Sequence, residues 1–254
     1  MIDFRKYNGA LVLGDIHGMY NVFLNAYEYA KQNKLYIISL GDIVDYGDKP
    51  IECYLLAKHI IENQEGVFIM GNHDDKNIRW GKGNKIKIGK VLQKTLERVD
   101  YNQQVYKDLL EFYNENSEYY ISIGNFHFAH GGIKPDMWDK KDDKLTKSQR
   151  EFCLYGQVDF SRTAEYRGIQ YHARLYNWCD DVPKGKFAIL GHDRSPFKEL
   201  PDFEDNLKEP LVYENKQGGT CIFMDTGSGK GGHLSGLILK GKELEIDAFL
   251  SFES

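Results

Sequence analysis

Five times along this chain a short apolar run stops at a small residue followed by Asp, Asn or His. The breaks are Gly14-Asp15-Ile16-His17-Gly18, Gly41-Asp42-Ile43-Val44-Asp45-Tyr46-Gly47, Gly71-Asn72-His73-Asp74-Asp75, Ala129-His130-Gly131-Gly132 and Gly191-His192-Asp193-Arg194. The runs before them include "GALVL" at 9–13, "LYIISL" at 35–40, "GVFIM" at 66–70 and "KFAIL" at 186–190, each predicted as a buried strand. Between the first three, "MYNVFLNAYEYAKQN" places Val22, Ala26, Tyr29 and Ala30 at helical spacing, and a second helix is predicted over about 50–64. Strand–helix–strand–helix–strand predicts parallel strands joined by crossing helices. Ligands of open α/β sheets bind outside the carboxyl ends of the strands. The five polar loops are therefore expected to converge.

The rest of the chain is read more coarsely. Residues 75–114 are predicted mostly helical, and "YYISIGNFHFAHGG" as two strands joined at Gly124-Asn125. The polar stretch 134–184 holds a helix near 146–154, and "TCIFMDTG", "LSGLILKG" and "ELEIDAFL" read as a meander of short strands. No repeat, low-complexity tract or linker interrupts the 254 residues. The expectation is one α/β domain over 1–254, with a helical insert at about 75–114 and a second insert at about 134–184. At 41% hydrophobic and 28% charged residues the composition is that of a soluble protein. Its apolar runs are too short for a bilayer span, and "MIDFRKYNGA" has no apolar signal region, so a cytoplasmic location is expected. Cys53, Cys153, Cys179 and Cys221 form no C-x-x-C pair, so they read as reduced packing residues and not as a thiolate metal site.

The loops supply Asp15, His17, Asp42, Asn72, His73, His130 and His192. Imidazole nitrogens with carboxylate oxygens suit divalent Mn, Fe or Zn. Two such ions ~3.5–4 Å apart, bridged by a carboxylate and a water, make a hydrolytic centre. A "GSGKGG" run at 227–232 matches G-x-G-x-x-G, but it is followed by a strand pattern and lacks the Ser or Thr of a P-loop. It reads as a flexible hairpin turn near the site. The net charge of −5 argues against general coating of nucleic acid. Locally, Lys76, Arg79, Lys82, Lys85, Lys87, Lys90, Lys94 and Arg98 are opposed only by Glu97 between positions 76 and 98, a field that would attract phosphates.

The order of these loops resembles the calcineurin-like metallophosphoesterase superfamily, in its phosphoprotein-phosphatase-like branch. "GNHDDKNIRWGKGN", "FAHGGIKPDM", "REFCLYGQVD", "LYNW" and "FMDTGSGKGGHLSGL" are most similar to the phosphatase domains of bacterial polynucleotide kinase-phosphatases, which repair RNA, and the lambda-type protein phosphatases are also similar. The resemblance implies an α/β (α+β) fold with a two-layer β sandwich flanked by helices. It implies two divalent ions, Mn2+ in first place with Fe, Ni or Zn as alternatives. Asp15 and His17 would hold the first ion, Asp42 would bridge both, and Asn72, His130 and His192 would hold the second. His73 would be the general acid, oriented by Asp45, and Asp225 matches a position tied to substrate preference.

One departure concerns Tyr46, where the resemblance implies a phosphate-binding arginine. A tyrosine there implies a pocket with less fixed positive charge. Arg194 is the nearest cation by sequence, and Arg79, Arg150, Arg162, Arg167 and Arg174 are the others considered. His59, His127, His172 and His233 match none of the loops. The expected substrate is a phosphorylated group, in first place an RNA 3′-phosphate or 2′,3′-cyclic phosphate end or a nucleotide. The alternatives are a protein serine/threonine phosphatase, a dinucleoside polyphosphate hydrolase, and a metal-site relic that only binds a partner.

Overall fold

The computed structural model describes residues 6–138, 144–166, 169–194, 196 and 209–253. The first half follows the strand–helix alternation: β1 (Gly9–Leu13), α1 (Tyr20–Asn33), β2 (Leu35–Ser39), α2 (Pro50–Glu62) and β3 (Gly66–Phe68). Three helices come next, α3 (Asn72–Gly81), α4 (Lys90–Arg98) and α5 (Gln103–Asn116), then the hairpin β4 (Tyr120–Ile123) and β5 (Phe126–Ala129). The polar middle contains α6 (Lys147–Tyr155) and a two-stranded arm, β6 (Gln157–Tyr166) with β7 (Ile169–Leu175). The chain closes with β8 (Phe187–Leu190), β9 (Leu211–Glu214), β10 (Thr220–Phe223), β11 (Leu234–Lys240) and β12 (Glu245–Phe252).

Two five-stranded sheets result, ordered β12-β11-β1-β2-β3 and β4-β5-β8-β10-β9. Their faces are set by the two-residue period of the strands. In β1, Ala10 and Val12 point to the second sheet, where they meet Phe126, Phe128, Ile189 and Ile222. The alternate residues Leu11 and Leu13 point outward, under Val22, Phe23, Ala26 and Ala30 of α1 and the buried faces of α2 and α5. On the far side, Ala129, Ala188, Leu190 and Phe223 pack beneath Trp138, Cys153 and Trp178. This is the expected β sandwich flanked by helices, with apolar layers on both faces of each sheet. Of the expected stripe on α1, Tyr29 is only half-buried, against Phe252, and Phe23 and Tyr27 take the core positions instead.

The expected meander is corrected. β11 pairs with β12 and β1, whereas β10 lies in the other sheet between β8 and β9. The segment 227–232 is therefore a crossover between sheets and not a hairpin turn. It is needed because β1–β2–β3 are parallel in one sheet and β5, β8 and β10 are parallel in the other. Each parallel triplet delivers three strand ends, and each of those ends carries a polar loop.

The four cysteines are free and buried. Among the described residues, no helix is long and apolar enough to cross a membrane.

Candidate metal centre

The loops at these strand ends bend sharply. Among the described residues eight non-glycine residues have positive φ, and five of them are His17, Asp42, Asp45, Tyr46 and His192. Left-handed backbone is uncommon outside glycine and concentrates at functional sites. The loops also touch at the closest distance backbone allows. A Cβ at Gly71 would lie 2.2 Å from both the amide nitrogen and Oδ1 of Asp42, and one at Gly191 would lie 2.4 Å from Oδ1 of Asp15. Glycine at these points lets each carboxylate rest on a neighbouring loop.

Two donor groups, one buried and one buried except for half-buried His192, share Asp42. Asp15, His17 and Asp42 offer ligand atoms within 4.8 Å of one another, and so do Asp42, His130 and His192. Two of the imidazoles, His17 and His130, are aimed by their other nitrogen. The Nδ1–H of His17 donates to the Val44 carbonyl at 3.0 Å, which turns Nε2 to within 3.5 Å of Asp15 Oδ2 and 3.9 Å of Asp42 Oδ2. The Nδ1–H of His130 donates to the Leu40 carbonyl at 2.8 Å, leaving Nε2 at 2.9 Å from Asn72 Oδ1 and 3.4 Å from Asp42 Oδ2. The backbone N–H of His192 donates to Asp15 Oδ1 at 2.9 Å, so the fifth loop is tied to the first. Asp15 Oδ2, His17 Nε2 and His192 Nε2 are buried with no hydrogen-bond partner. Orphaned buried acceptors are costly, and three of them converging on a shared carboxylate fit a pair of divalent cations. Backbone-oriented imidazoles are the usual arrangement around a bound metal.

The electrostatics agree with that reading. Burial alone would push Asp42 up, but His130 and His73 outweigh it and hold the carboxyl well below its ordinary range. Burial pushes Asp15 up against the charge of His130. Burial and then Lys230 drive His17 down to about 3, so it is neutral and free to ligate. His192 is lowered by burial and by Arg174. His130 is the exception: Asp42 overcomes its burial and raises it to about 9.

Beside the shared carboxylate sits a second unit. Nδ1 of His73 lies 2.5 Å from Asp45 Oδ2, and the His73 backbone N–H donates to Asp42 Oδ1 at 2.8 Å. The other oxygen of Asp45 accepts from Thr95 Oγ1 at 2.6 Å and Asn77 Nδ2 at 3.3 Å, with Asn77 in turn accepting from Tyr106 at 2.9 Å. Against its burial, Asp45 is held below its usual range by His73 first and then by Thr95 and Asn77, and against its own burial His73 is raised by Asp42 and then Asp45. A further carboxylate, Asp74, clamps the second and third loops by accepting from Ile43 N at 3.0 Å, Tyr54 at 2.9 Å and Gly71 N at 3.2 Å.

The remaining expected site residues divide. Tyr46 is 37% exposed, with its ring centroid 4.8 Å from His17 and 5.5 Å from His73, at the mouth of the site. Asp225 is buried and accepts from Gly227 N at 2.9 Å and from Lys230 at 3.4 Å. Arg194 is buried in the fifth loop. Arg79 is exposed on α3 and paired with Asp75 at 3.7 Å. Arg174 anchors the arm to the fifth loop through Asp193 at 3.0 Å, Arg162 pairs with Asp159 at 2.8 Å in the same arm, Arg150 stacks on Tyr119, and Arg167 lies outside the described residues. Over the Tyr46 ring stands Lys230, whose Nζ is 4.9 Å from the ring centroid. That lysine comes from "GSGKGG" and sits beside the tyrosine that stands where the resemblance implies an arginine. Its signal in the sequence is a lysine inside a glycine-rich segment next to the site, and not one of the arginines expected there. Thr95, Asn77 and Arg98, which donates to the carbonyls of Tyr46 and Gly47 at 3.1 and 2.6 Å, were also missed, because helices α3 and α4 bring them in from outside the loops. Of the unmatched histidines, His59 bonds Tyr27, His127 stacks on Tyr120, His172 packs on Phe160, and the His233 carbonyl accepts from Thr226.

Comparison with known proteins places this geometry. The sequence profile described as calcineurin-like phosphoesterase matches residues 10–217. A protein of Oceanobacillus iheyensis named bis(5'-nucleosyl)-tetraphosphatase PrpE [asymmetrical] is 29% identical over 223 residues, covering 81% of this chain and 85% of its own. Among solved structures, a metallophosphoesterase from Sphaerobacter thermophilus superposes with a TM-score of 0.52 at 16% identity, covering 96% of this chain and 88% of its own. A protein serine/threonine phosphatase from Saccharomyces cerevisiae with similarity to human phosphatase PP5 gives 0.54 at 16% identity, covering 99% and 82%.

Proposed function

The chain belongs to the calcineurin-like phosphoesterase family and is a metallophosphoesterase, and we propose that it uses two divalent ions to hydrolyse dinucleoside polyphosphates. The observation that carries the chemistry is the pair of donor groups sharing Asp42, with the His73–Asp45 pair beside it. Asp15, His17 and Asp42 would hold one ion, and Asp42, Asn72, His130 and His192 the other. Ions bound there polarise phosphate oxygens and make a water acidic enough to attack phosphorus at neutral pH.

The chain's own residues do the rest. Asp45 accepts the Nδ1 proton of His73 and so presents the protonated Nε2 edge to the leaving oxygen, as a general acid requires. The His73 amide bound to Asp42 fixes the acid relative to the shared carboxylate, so that proton donor and metal bridge keep one geometry. Burial of Asp15, His17, Asp42 and His130 keeps bulk water from screening these charges.

The substrate class is supported by the relatives named for bis(5'-nucleosyl)-tetraphosphate. They favour the dinucleoside alternative over the RNA ends expected from the repair-domain resemblance. Lys82, Lys85, Lys87, Lys90 and Lys94 of the basic stretch are exposed, and Arg98 is engaged with the backbone of the second loop. A Mn-dependent panel tests the reading, with diadenosine tetraphosphate, 3′-phosphorylated RNA, 2′,3′-cyclic nucleotide and phosphopeptide compared by kcat/KM. The dinucleoside is expected to lead. Turnover of RNA ends or phosphopeptide with the dinucleoside untouched would overturn it.

A further inference from the structure

A phosphorylated substrate brings negative charge into a pocket whose base is already acidic. Asp15, Asp42, Asp45 and Asp225 are all buried around it. Something on the substrate side must supply positive charge beyond the metals, and position 46, at the mouth, is a neutral tyrosine. The crossover 227–232 fills that place. Its seating is tight: a Cβ at Gly229 would lie 3.0 Å from the His17 carbonyl and 3.2 Å from Tyr46 Cβ. Ser228 Oγ donates to the Ile16 carbonyl at 3.1 Å, and the Lys230 N–H to the Gly227 carbonyl at 2.8 Å. The loop is therefore held directly on the first two metal-site loops, and Lys230 leaves it over the open face of Tyr46.

We propose that Lys230 is the substrate-phosphate cation of this site, presented across the ring of Tyr46 from the crossover between the two sheets; the assignment rests on the phosphoesterase reading above. Tyr46 is its platform. The ring supports the ammonium through its π face, and the same ring lies 4.8 Å from His17 and 5.5 Å from His73 between centroids. The lysine side chain is 19% exposed, so part of it is open to entering substrate while its Nζ sits 3.4 Å from buried Asp225. Asp225 takes one of its N–H groups at 3.4 Å, and an ammonium has three. Asp225 and Asp15 outweigh burial and keep it fully charged. The competing account is that Lys230 serves only to neutralise buried Asp225.

The test uses the full chain loaded with Mn2+ and inorganic phosphate as the probe. In calorimetric titration, Lys230→Met is expected to weaken phosphate binding roughly ten- to hundredfold, the worth of a charge-assisted hydrogen bond, while Mn2+ affinity stays that of the parent. Lys230→Arg should retain binding. Adding Tyr46→Arg to Lys230→Met should recover a large part of it, because charge returns from the neighbouring loop. In turnover, Lys230→Met should raise KM for p-nitrophenyl phosphate more than for the singly charged bis(p-nitrophenyl) phosphate. Unchanged phosphate binding overturns the proposal, and so does a parallel loss of Mn2+ affinity, which would mean that the lysine acts through Asp225. If the parent protein turns over no phosphoester yet binds phosphate through Lys230, the functional reading fails and this assignment stands.

Discussion

His73 owes its proton to its neighbours. Burial works against an imidazolium, but Asp42 and Asp45 lie close enough to outweigh it. Asp45 stays ionised against its burial because His73 itself, and then Thr95 and Asn77 on its second oxygen, favour the carboxylate. A general acid matters in proportion to how poor the leaving group is. His73→Asn is therefore expected to cut kcat on an alkyl phosphate by roughly 10²–10⁴-fold and to cut it far less on p-nitrophenyl phosphate. Steady-state kinetics on the two esters measures the difference. Equal losses on both would assign His73 to phosphate binding and leave proton transfer to another group. Asp45→Asn should follow the same pattern, since it removes the group that holds His73 charged and correctly turned.

At the scale of elements, the site depends on loops that touch through backbone. Helix α3 begins at Asn72, directly after Gly71, so its first turn is the third loop. The loop from β2 crosses it at Gly71, where the amide of Asp42 leaves no room for a side chain. Asp74 then pins the two together from below through Ile43, Tyr54 and Gly71. Gly71→Ala must push these loops apart, since no rotation of a methyl group relieves a contact of 2.2 Å with backbone. Both helices and both sheets remain intact around the shift, so far-ultraviolet circular dichroism should be unchanged. The displacement of Asp42 and His73 relative to each other should lower kcat/KM about 10²-fold, the usual consequence of an error near 1 Å in a reacting constellation. Full activity in Gly71→Ala would show that the loop tolerates more movement than its contacts allow.

Across the whole molecule, the legible parts are those with a local signature. Asp15, His17, Asp42, Asn72, His130 and His192 could be picked out because each follows a buried strand at a small residue, a pattern that five or six residues suffice to display. The arm β6–β7 could not, because residues 157–166 and 169–175 form a separate two-stranded ladder in which exposed residues such as Phe160 and Arg162 interrupt any apolar alternation. The jump from β10 to β11 was misread because a crossover and a hairpin use the same glycine-rich chemistry; only pairing partners far along the chain tell them apart. Lys230 went unread for the same reason. Non-local assembly also decides what metal does for stability. Asp15, His17 and Asp42 come from the first sheet, and His130 and His192 from the second, so ions held between them would tie the two sheets together at their loop ends. Binding to the folded state alone at a hundredfold excess over Kd is worth about 2.7 kcal/mol, which for a chain of this size is roughly 5–10 °C in Tm. Thermal unfolding with Mn2+ should exceed unfolding in chelator by that amount. Asp42→Asn, which removes the carboxylate common to both donor groups, should abolish the difference, whereas Lys230→Met should preserve it. A metal-induced rise that survives Asp42→Asn would place the ions elsewhere.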